Sequence, residues 1–292
     1  MRNPARIAGP ALVAALLLLA APRTSASDHD DTHELKEIPR HDARISDVFA
    51  FTRGDRLVLI LCTNPAIPVG TTAYEFPSDL ALRVHVDNHS SVSYEDEEMN
   101  RLYGGRVLNP AEIEADVEFE VTFERGAPRL KTRGLRGGAH KDVQMFVGLR
   151  DDPFIRGPRI GRNVAAIVLE LPLADALGKE PTLLVWASSK VPEVHGAYAD
   201  IGGRAIRSQM EEGLDLNTMG PAAHERRLGV PPDVIIFDTS RPARFPNGRD
   251  LADDVVDMVG DTRLLANDAP FPSENDVPFL PSFPYLAPPQ AP

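Results

Sequence analysis

The chain has 292 residues, a formal net charge of -12 and a hydrophobic fraction of 42%. An acidic surface of this kind repels nucleic acid and anionic lipid headgroups, so the charge argues against both as partners. The single cysteine, Cys62, excludes an intramolecular disulfide and predicts a buried, inert thiol in a core strand. The fold must therefore rest on an ordinary hydrophobic core.

The first 26 residues have the three parts of a secretory signal peptide. Arg2 and Arg6 give a positive start, residues 11–21 are apolar, and residues 24–26 are small enough for a cleavage site. The apolar run is short for a membrane span, so we expect no membrane insertion after cleavage, with an uncleaved anchor as the alternative. The mature chain is expected to be exported and soluble, in the periplasm or outside the cell.

Residues 27–42 follow the cleavage site and are rich in acids. We expect this acidic leader to be flexible. No long linker divides the remainder of the sequence. Residues 43–292 are therefore predicted to form a single β-rich domain.

Strand patterns dominate this domain. Residues 82–87 and 117–124 alternate between apolar and polar side chains, which predicts strands with one face in water. Residues 57–61, 164–171 and 183–187 are continuously apolar, as in strands that are buried on both faces. Antiparallel sheets allow the first kind of strand. The sequence thus predicts a mainly β, antiparallel β-sandwich with a few short helices.

Three short helices are predicted among the strands. Residues 172–177 and 221–228 each begin with proline and are followed by glycine, the usual start and stop of a helix. Residues 250–258 carry apolar side chains at helical spacing, with aspartates on the other face. The dipole of a helix favours acids in its first turn, so these aspartates need no catalytic explanation.

The carboxyl terminus is predicted to be extended. Its last 23 residues contain eight prolines, which exclude helix and central strand alike. Phe271, Phe279, Phe283 and Tyr285 lie between these prolines, and disordered tails are poor in aromatic residues. We therefore expect residues 270–289 to form an ordered, Pro-rich strap across the sheet.

Two polar signatures, at residues 148–154 and 245–257, place adjacent carboxylates and an arginine among aromatic residues and turns. Their candidate metal ligands are Asp151, Asp152, Asp253, Asp254 and Asp257. Such carboxylates could surround calcium, which takes six to eight oxygen ligands, or act in glycoside hydrolysis. Structural ion networks outnumber active sites, so pairing with Arg150 and Arg249 is the favoured interpretation. Unpaired buried charge would be costly.

These signatures resemble those of bacterial exported proteins in domain-of-unknown-function family 4331. The resemblance extends over nearly all of the mature chain, through residues 45–51, 146–154, 163–172, 185–187, 245–257 and 278–289. Family members often begin with a Ser-Ser-His-Arg-Glu-Ala-Pro-like segment, which this sequence lacks. The resemblance implies kinship, and it carries no activity, cofactor or catalytic residue.

Sequence motifs for common enzymes are missing. The chain has no Gly-x-Ser-x-Gly elbow, no P-loop and no dinucleotide fingerprint. The leading hypothesis is a non-catalytic binding or structural module for a cell surface, a glycan or a divalent cation such as calcium. The alternative is a carboxylate-dependent hydrolase that uses Asp151/Asp152 and Asp253/Asp254. Whether the chain is an enzyme is left open, although the missing motifs favour a non-enzyme.

Overall fold

A computed structural model describes most of the chain. The described residues are 29–138, 142–155, 161–210, 215–259 and 272–291. The predicted signal peptide and the first two residues of the predicted strap lie outside these ranges.

The described residues form a mainly β structure with a few short helices. In chain order, the strands are β1 (Ile45–Arg53), β2 (Arg56–Pro68), β3 (Ala81–Asp87), β4 (Val92–Ser93), β5 (Arg106–Val107), β6 (Val117–Glu124), β7 (Ala127–Arg133), β8 (Gln144–Asp151), β9 (Arg162–Pro172), β10 (Thr182–Lys190), β11 (Asp200–Gly202) and β12 (Ile235–Asp238). The helices are α1 (His33–Glu37), α2 (Glu97–Tyr103), α3 (Leu173–Ala176), α4 (Arg207–Met210), α5 (His224–Leu228) and α6 (Val255–Val259). Among the described residues, none of these helices has the length and apolarity that crossing a bilayer requires.

The strands build two antiparallel sheets that pack face to face. The smaller sheet has the order β1-β2-β9-β8, and the larger has the order β11-β10-β3-β6-β7. Strand β10 also pairs with β12, through residues 182–185, whereas β11 pairs with residues 187–189. A separate two-stranded ribbon joins β4 to β5. The predicted antiparallel sandwich is confirmed.

The continuously apolar strands are buried on both faces, as their sequences predict. In β2, the odd-numbered residues from Leu57 to Leu61 join the core between the sheets. The even-numbered residues from Val58 to Cys62 join a second core on the outside of the smaller sheet. Strand β9 divides its side chains in the same way. The prediction of a buried cysteine in a core strand is also confirmed.

The C-terminal strap covers the outer face of the smaller sheet. Tyr285 and Leu286 are buried there, and the Tyr285 ring meets Phe51 edge-on with 6.0 Å between centroids. The Tyr285 hydroxyl donates a hydrogen bond to Glu170 of β9. The strap prediction is therefore confirmed over the part of residues 270–289 that the structure describes.

Loops and short elements cover the outer face of the larger sheet. Leu184 and Trp186 of β10 and Ile236 of β12 form an outer core with Val107 and Ile113. The last two residues belong to the segment that contains the β4–β5 ribbon. This cover is assembled from several chain segments, unlike the single strap on the other side.

The expectation of a flexible leader at residues 27–42 requires correction, because its described part packs against the sandwich. Leu35 is fully buried in the central core. Thr32 caps α1 by accepting the backbone N–H of Leu35. Nε2 of His29 lies 2.9 Å from Oδ1 of Asp200, and both side chains are buried. An apolar anchor, a paired histidine and the ion pairs of Arg40 with Asp79 and Glu193 all attach this acidic segment.

The predicted helices agree with the structure at α3 and α5, but the third begins late. It was expected over residues 250–258, and α6 begins at Val255. Asp253 binds the backbone N–H groups of Phe245 and Asp250 through one carboxylate oxygen. Local side-chain bonds of this kind compete with helix formation, which explains the late start.

We expect Leu286→Ala to lower the free energy of unfolding by about 2–5 kcal/mol, because it opens a cavity beneath the strap. Leu286 is fully buried against the smaller sheet. Leu108→Ala makes the same chemical change at a residue that is 54% exposed, and should cost less than about 0.5 kcal/mol. Urea denaturation of both variants measures the difference. Equal losses would mean that the strap is not part of the stable core.

Candidate functional site

The first polar signature fastens the C-terminal segment to β8. Asp151, the last residue of β8, is 1% exposed. Its two carboxylate oxygens accept hydrogen bonds from Nδ2 of Asn275 and Nε2 of Gln290, each at 2.7 Å. Both donors lie in the C-terminal segment. Asp151 therefore has a structural role, as the favoured interpretation expected, but the two amide donors were not predicted.

Asp152 lies next to this junction. Its Oδ1 accepts the backbone N–H of Phe154 at 3.0 Å, a bond that shapes the turn after β8. Burial raises the pKa of Asp152 well above its ordinary value, and the negative charge of Asp47 raises it further. The Asp152 carboxyl group therefore holds its proton more tightly than an exposed aspartate does.

Arg249 of the second signature forms a buried ion pair with Asp47 of β1. Nη2 of Arg249 lies 3.0 Å from Oδ1 of Asp47, and neither residue is more than 1% exposed. Nη1 donates to the carbonyl of Val48 at 3.2 Å, and the guanidinium carbon lies 4.0 Å from the Phe49 ring centroid. Arg249 is thus paired with an acid that the sequence analysis did not single out.

Arg150 does not pair with the acids of the second signature, and this expectation was wrong. Its guanidinium carbon lies 3.9 Å from the centroid of the Phe146 ring, and Nη1 donates to the carbonyl of Leu149. Burial lowers the pKa of Arg150. Residues four apart in a strand share a face, so Phe146 is the nearest aromatic neighbour that β8 itself supplies. Stacking on this ring takes the place of an ion pair.

The three candidate ligands of the second signature, Asp253, Asp254 and Asp257, organise the loop before α6 and its first turn. Asp253 accepts two backbone N–H groups, and burial raises its pKa. Oδ1 of Asp254 accepts the backbone N–H of Asp257 at 3.1 Å, at the first turn of α6. Oδ2 of Asp257 accepts the hydroxyl of Ser273 at 2.9 Å. Each carboxylate holds a turn or joins two loops.

The five predicted ligands do not form one compact group. No three of them, all within the described ranges, bring ligand atoms within 4.8 Å of one another. Calcium needs six to eight oxygen ligands around one point. Calcium binding by these carboxylates stays a prediction from the sequence.

A compact set of metal-type ligands does occur among the described residues, formed by Asp87, His89 and Asp116. Nδ1 of His89 lies 2.7 Å from Oδ2 of Asp116 and 3.3 Å from Oδ1 of Asp87. A tetrahedral zinc ion with bonds of about 2.0–2.1 Å would place its ligands roughly 3.3 Å apart. One imidazole and two carboxylates suit zinc better than calcium.

Asp87 is nevertheless fully used as the centre of a turn. Its Oδ1 accepts the backbone N–H groups of His89 and Ser90, at 3.0 and 2.8 Å. Its Oδ2 accepts the hydroxyl of Ser90 and the backbone N–H of Glu114, at 2.7 and 3.2 Å. These four bonds occupy the four lone-pair positions of a carboxylate. This group therefore has a structural role.

A cavity of about 310 Å³ lies beside the outer core of the larger sheet. Helix α2 and strand β5 form one wall, and α5, the loop after it and β12 form the other. Its apolar lining consists of Met99, Val107, Pro110, Val230, Pro231, Pro232 and Ile236. Tyr103, Arg106 and Glu225 add an aromatic ring and two charges of opposite sign.

Two glycines stop the helices at the edge of this cavity. Gly104 ends α2 with a φ of 78°, and Gly229 ends α5 with a φ of 73°. Both angles lie in the left-handed region that favours glycine. A Cβ atom on Gly104 would also lie 2.4 Å from the carbonyl oxygen of Pro246. The two glycines let the chain change direction after α2 and after α5, which leaves space between these helices.

His224 fixes the loops of the second wall. Its Nδ1 accepts the backbone N–H of Asp233 at 3.0 Å, and its Nε2 donates to the carbonyls of Leu216 and Met219 at 2.9 and 3.0 Å. This pattern requires the neutral tautomer with its proton on Nε2. The cavity wall is therefore held by a buried hydrogen-bonded ring, and not by apolar contacts alone.

Two arginine side chains lie near the Tyr103 ring of the cavity wall. The guanidinium carbons of Arg204 and Arg207 lie 5.4 and 5.1 Å from the ring centroid. Burial lowers the pKa of Arg204 to about 10, and repulsion by Arg207 contributes to this change. The charge of Asp233 opposes both effects. Two buried guanidinium groups thus share one aromatic ring.

This cavity was not predicted from the sequence. Its lining comes from separate segments around residues 99–110, 225–232 and 236, and none of them carries a known motif. Gly104 and Gly105 next to Tyr103 gave one signal, since paired glycines after a helical stretch indicate a close approach of the backbone. That signal locates a turn, but it does not identify the segments that form the opposite wall of the cavity.

Comparison with known proteins gives no match to a family model, to a curated protein or to a solved structure. The resemblance to family 4331 therefore stays a prediction, and the function must be argued from the site.

Replacing Arg249 by methionine should lower the free energy of unfolding by about 3–5 kcal/mol, because Asp47 would remain buried without its counter-charge. Arg150→Met is the matched variant and should cost no more than about 2 kcal/mol, the upper range for a cation–ring contact. Thermal and urea unfolding would measure both. A larger loss of stability for Arg150→Met than for Arg249→Met would contradict the buried ion pair between Arg249 and Asp47.

The pKa of His89 is raised above its ordinary value of 6.5, chiefly by its hydrogen bond to Asp116. The folded protein therefore binds this proton more tightly than the unfolded chain does. The resulting stabilisation is complete below about pH 6.5 and is lost as the pH rises through the raised pKa. His89→Gln should accordingly reduce stability at pH 5.5 and have less effect at pH 9.

Urea unfolding at the two pH values tests this sign, and replacement of the exposed His195 by glutamine controls for loss of a histidine as such. A His89→Gln effect that grows with pH would contradict the proposed ion pair.

Proposed function

We propose that this protein is an exported, non-catalytic binding module that takes a small, largely apolar ligand into the cavity between α2, β5 and β12. The observation that carries the proposal is the cavity itself. Its volume of about 310 Å³ falls in the range of small-molecule sites, and its lining combines apolar walls with a few polar groups.

The construction of the walls supports binding by a preformed site. Glycines end both helices at the edge of the cavity, and His224 holds the opposite loops by three hydrogen bonds. A site that is formed before the ligand arrives loses less entropy on binding. The cavity can therefore bind a small molecule without rearrangement of the sandwich.

The hydrolase alternative has less support. Asp151 binds two side-chain amides of the C-terminal segment, and Asp253 binds two backbone N–H groups. A hydrolytic pair needs one carboxylate free to accept a proton and a second placed across the substrate. Carboxylates that hold the turns of the fold are poorly suited to these roles.

A glycan, a cell surface or a divalent cation was expected from the sequence, and these ligands stay predictions. The apolar lining favours a different class of ligand. A polyhydroxylated sugar buried there would lose hydrogen bonds to water, and few polar groups line the cavity to replace them.

Binding of a neutral fluorescent probe, N-phenyl-1-naphthylamine, to residues 27–292 tests the proposal. Its emission should rise on entering the cavity and saturate with one site per chain. Val230→Trp places a large ring in the cavity and should weaken binding by about tenfold, which corresponds to 1.4 kcal/mol.

Val69→Trp is the matched control, because Val69 is 39% exposed and does not line the cavity. This variant should bind the probe like the parent protein. No saturable binding, or equal binding by both variants, would overturn the proposal. Melting temperatures would confirm that the two variants are folded.

A further inference from the structure

Arg106 brings an uncompensated positive charge to the cavity wall. It lies on β5, is exposed and lines the cavity. Within the described ranges its side chain forms neither an ion pair nor a hydrogen bond. Glu225, the acid in the same lining, lies on the opposite wall at α5 and does not pair with it. A guanidinium group that is free at a cavity wall can bind an anion.

The interior behind this wall also holds guanidinium groups. Arg204 is 6% exposed and Arg207 is fully buried, and both lie over the Tyr103 ring that lines the cavity. Nε and Nη1 of Arg204 are buried without a hydrogen-bond acceptor. Asp233 accepts the backbone N–H of Arg204 at 2.8 Å but does not approach its guanidinium group within ion-pair distance. Asp233 therefore does not neutralise the Arg204 guanidinium by direct pairing.

This local charge is unusual for the chain as a whole, which carries a formal net charge of -12. Clefts with low-dielectric walls concentrate the field of the charges around them. In the cavity, that field comes from Arg106 at the surface and from Arg204 inside. An anion is therefore attracted here, although most of the protein surface repels it.

We propose that the ligand is an amphipathic carboxylate, whose apolar body packs against Val107, Val230 and Pro231 and whose carboxylate binds Arg106. This inference rests on the proposed function, since it assigns the ligand class of the same cavity. The planar guanidinium fork of arginine matches a carboxylate with two parallel hydrogen bonds. The apolar walls account for the remainder of the molecule.

Displacement of bound N-phenyl-1-naphthylamine by three eight-carbon compounds tests the charge preference. The competitors are octanoate, 1-octanol and octylammonium, at pH 7.5 and low ionic strength. Octanoate should displace the probe at a concentration about tenfold lower than 1-octanol, as expected for a charge-assisted hydrogen bond. Octylammonium should be the weakest competitor.

Arg106→Gln should remove the advantage of octanoate while leaving displacement by 1-octanol unchanged. Arg227→Gln is the matched control, because it removes the same charge from exposed α5 outside the cavity lining. It should keep the preference for octanoate. This comparison separates direct binding by Arg106 from a general change in net charge.

The outcomes distinguish the two proposals. Equal displacement by octanoate and 1-octanol, or stronger displacement by octylammonium, would overturn the carboxylate assignment and leave the cavity as a binding site. A parent protein that fails to bind the probe at all would overturn the proposed function itself. A preference for octanoate that survives Arg106→Gln would contradict the role of Arg106.

Discussion

The smaller sheet has apolar side chains on both faces, so a sandwich of two sheets would leave one of these faces in water. The C-terminal strap covers it, with Leu286 and Tyr285 against the outer core. Burial of apolar surface contributes about 25 cal/mol per Å², which makes this cover a large part of the stability. Polar groups at the sheet edge then hold the strap: Asp151 binds two of its amides, and Oδ1 of Asn163 accepts the backbone N–H of Gln290. The position of Asp151 in the first signature follows from this requirement.

The two signatures are connected through Asp47, a residue that belongs to neither of them. Asp47 pairs with Arg249, and its charge raises the pKa of Asp152. Burial of an ion pair costs several kcal/mol per ion unless other groups help to satisfy it. The Val48 carbonyl and the Phe49 ring supply this help, both from the strand that carries Asp47. The loop before α6 is thereby tied to β1.

The spacing of apolar residues in the sequence correctly predicted how many faces of each strand are buried. The continuously apolar β2 and β9 and the buried Cys62 were found in this way, whereas the strap was predicted from its prolines and aromatic residues. The partner of Arg249 could not be predicted, because it lies 202 residues away in the sequence. The flexible leader was a wrong prediction, since composition records the acids of this segment but not the burial of Leu35. The cavity was missed because separate segments each contribute a small part of its lining.

The outer faces of the two sheets are covered in different ways, and this difference explains where a ligand site can form. One extended segment follows the smaller sheet closely, and Leu286 beneath it is fully buried. The larger sheet is covered by α2, the β4–β5 ribbon and α5, which meet at turns that require glycine. Short elements that end at fixed turns cannot fill every space between them, and a dry gap would forfeit packing energy along its whole lining. The cavity beside Tyr103 is such a gap, and the proposed carboxylate ligand would fill it and meet the charge of Arg106.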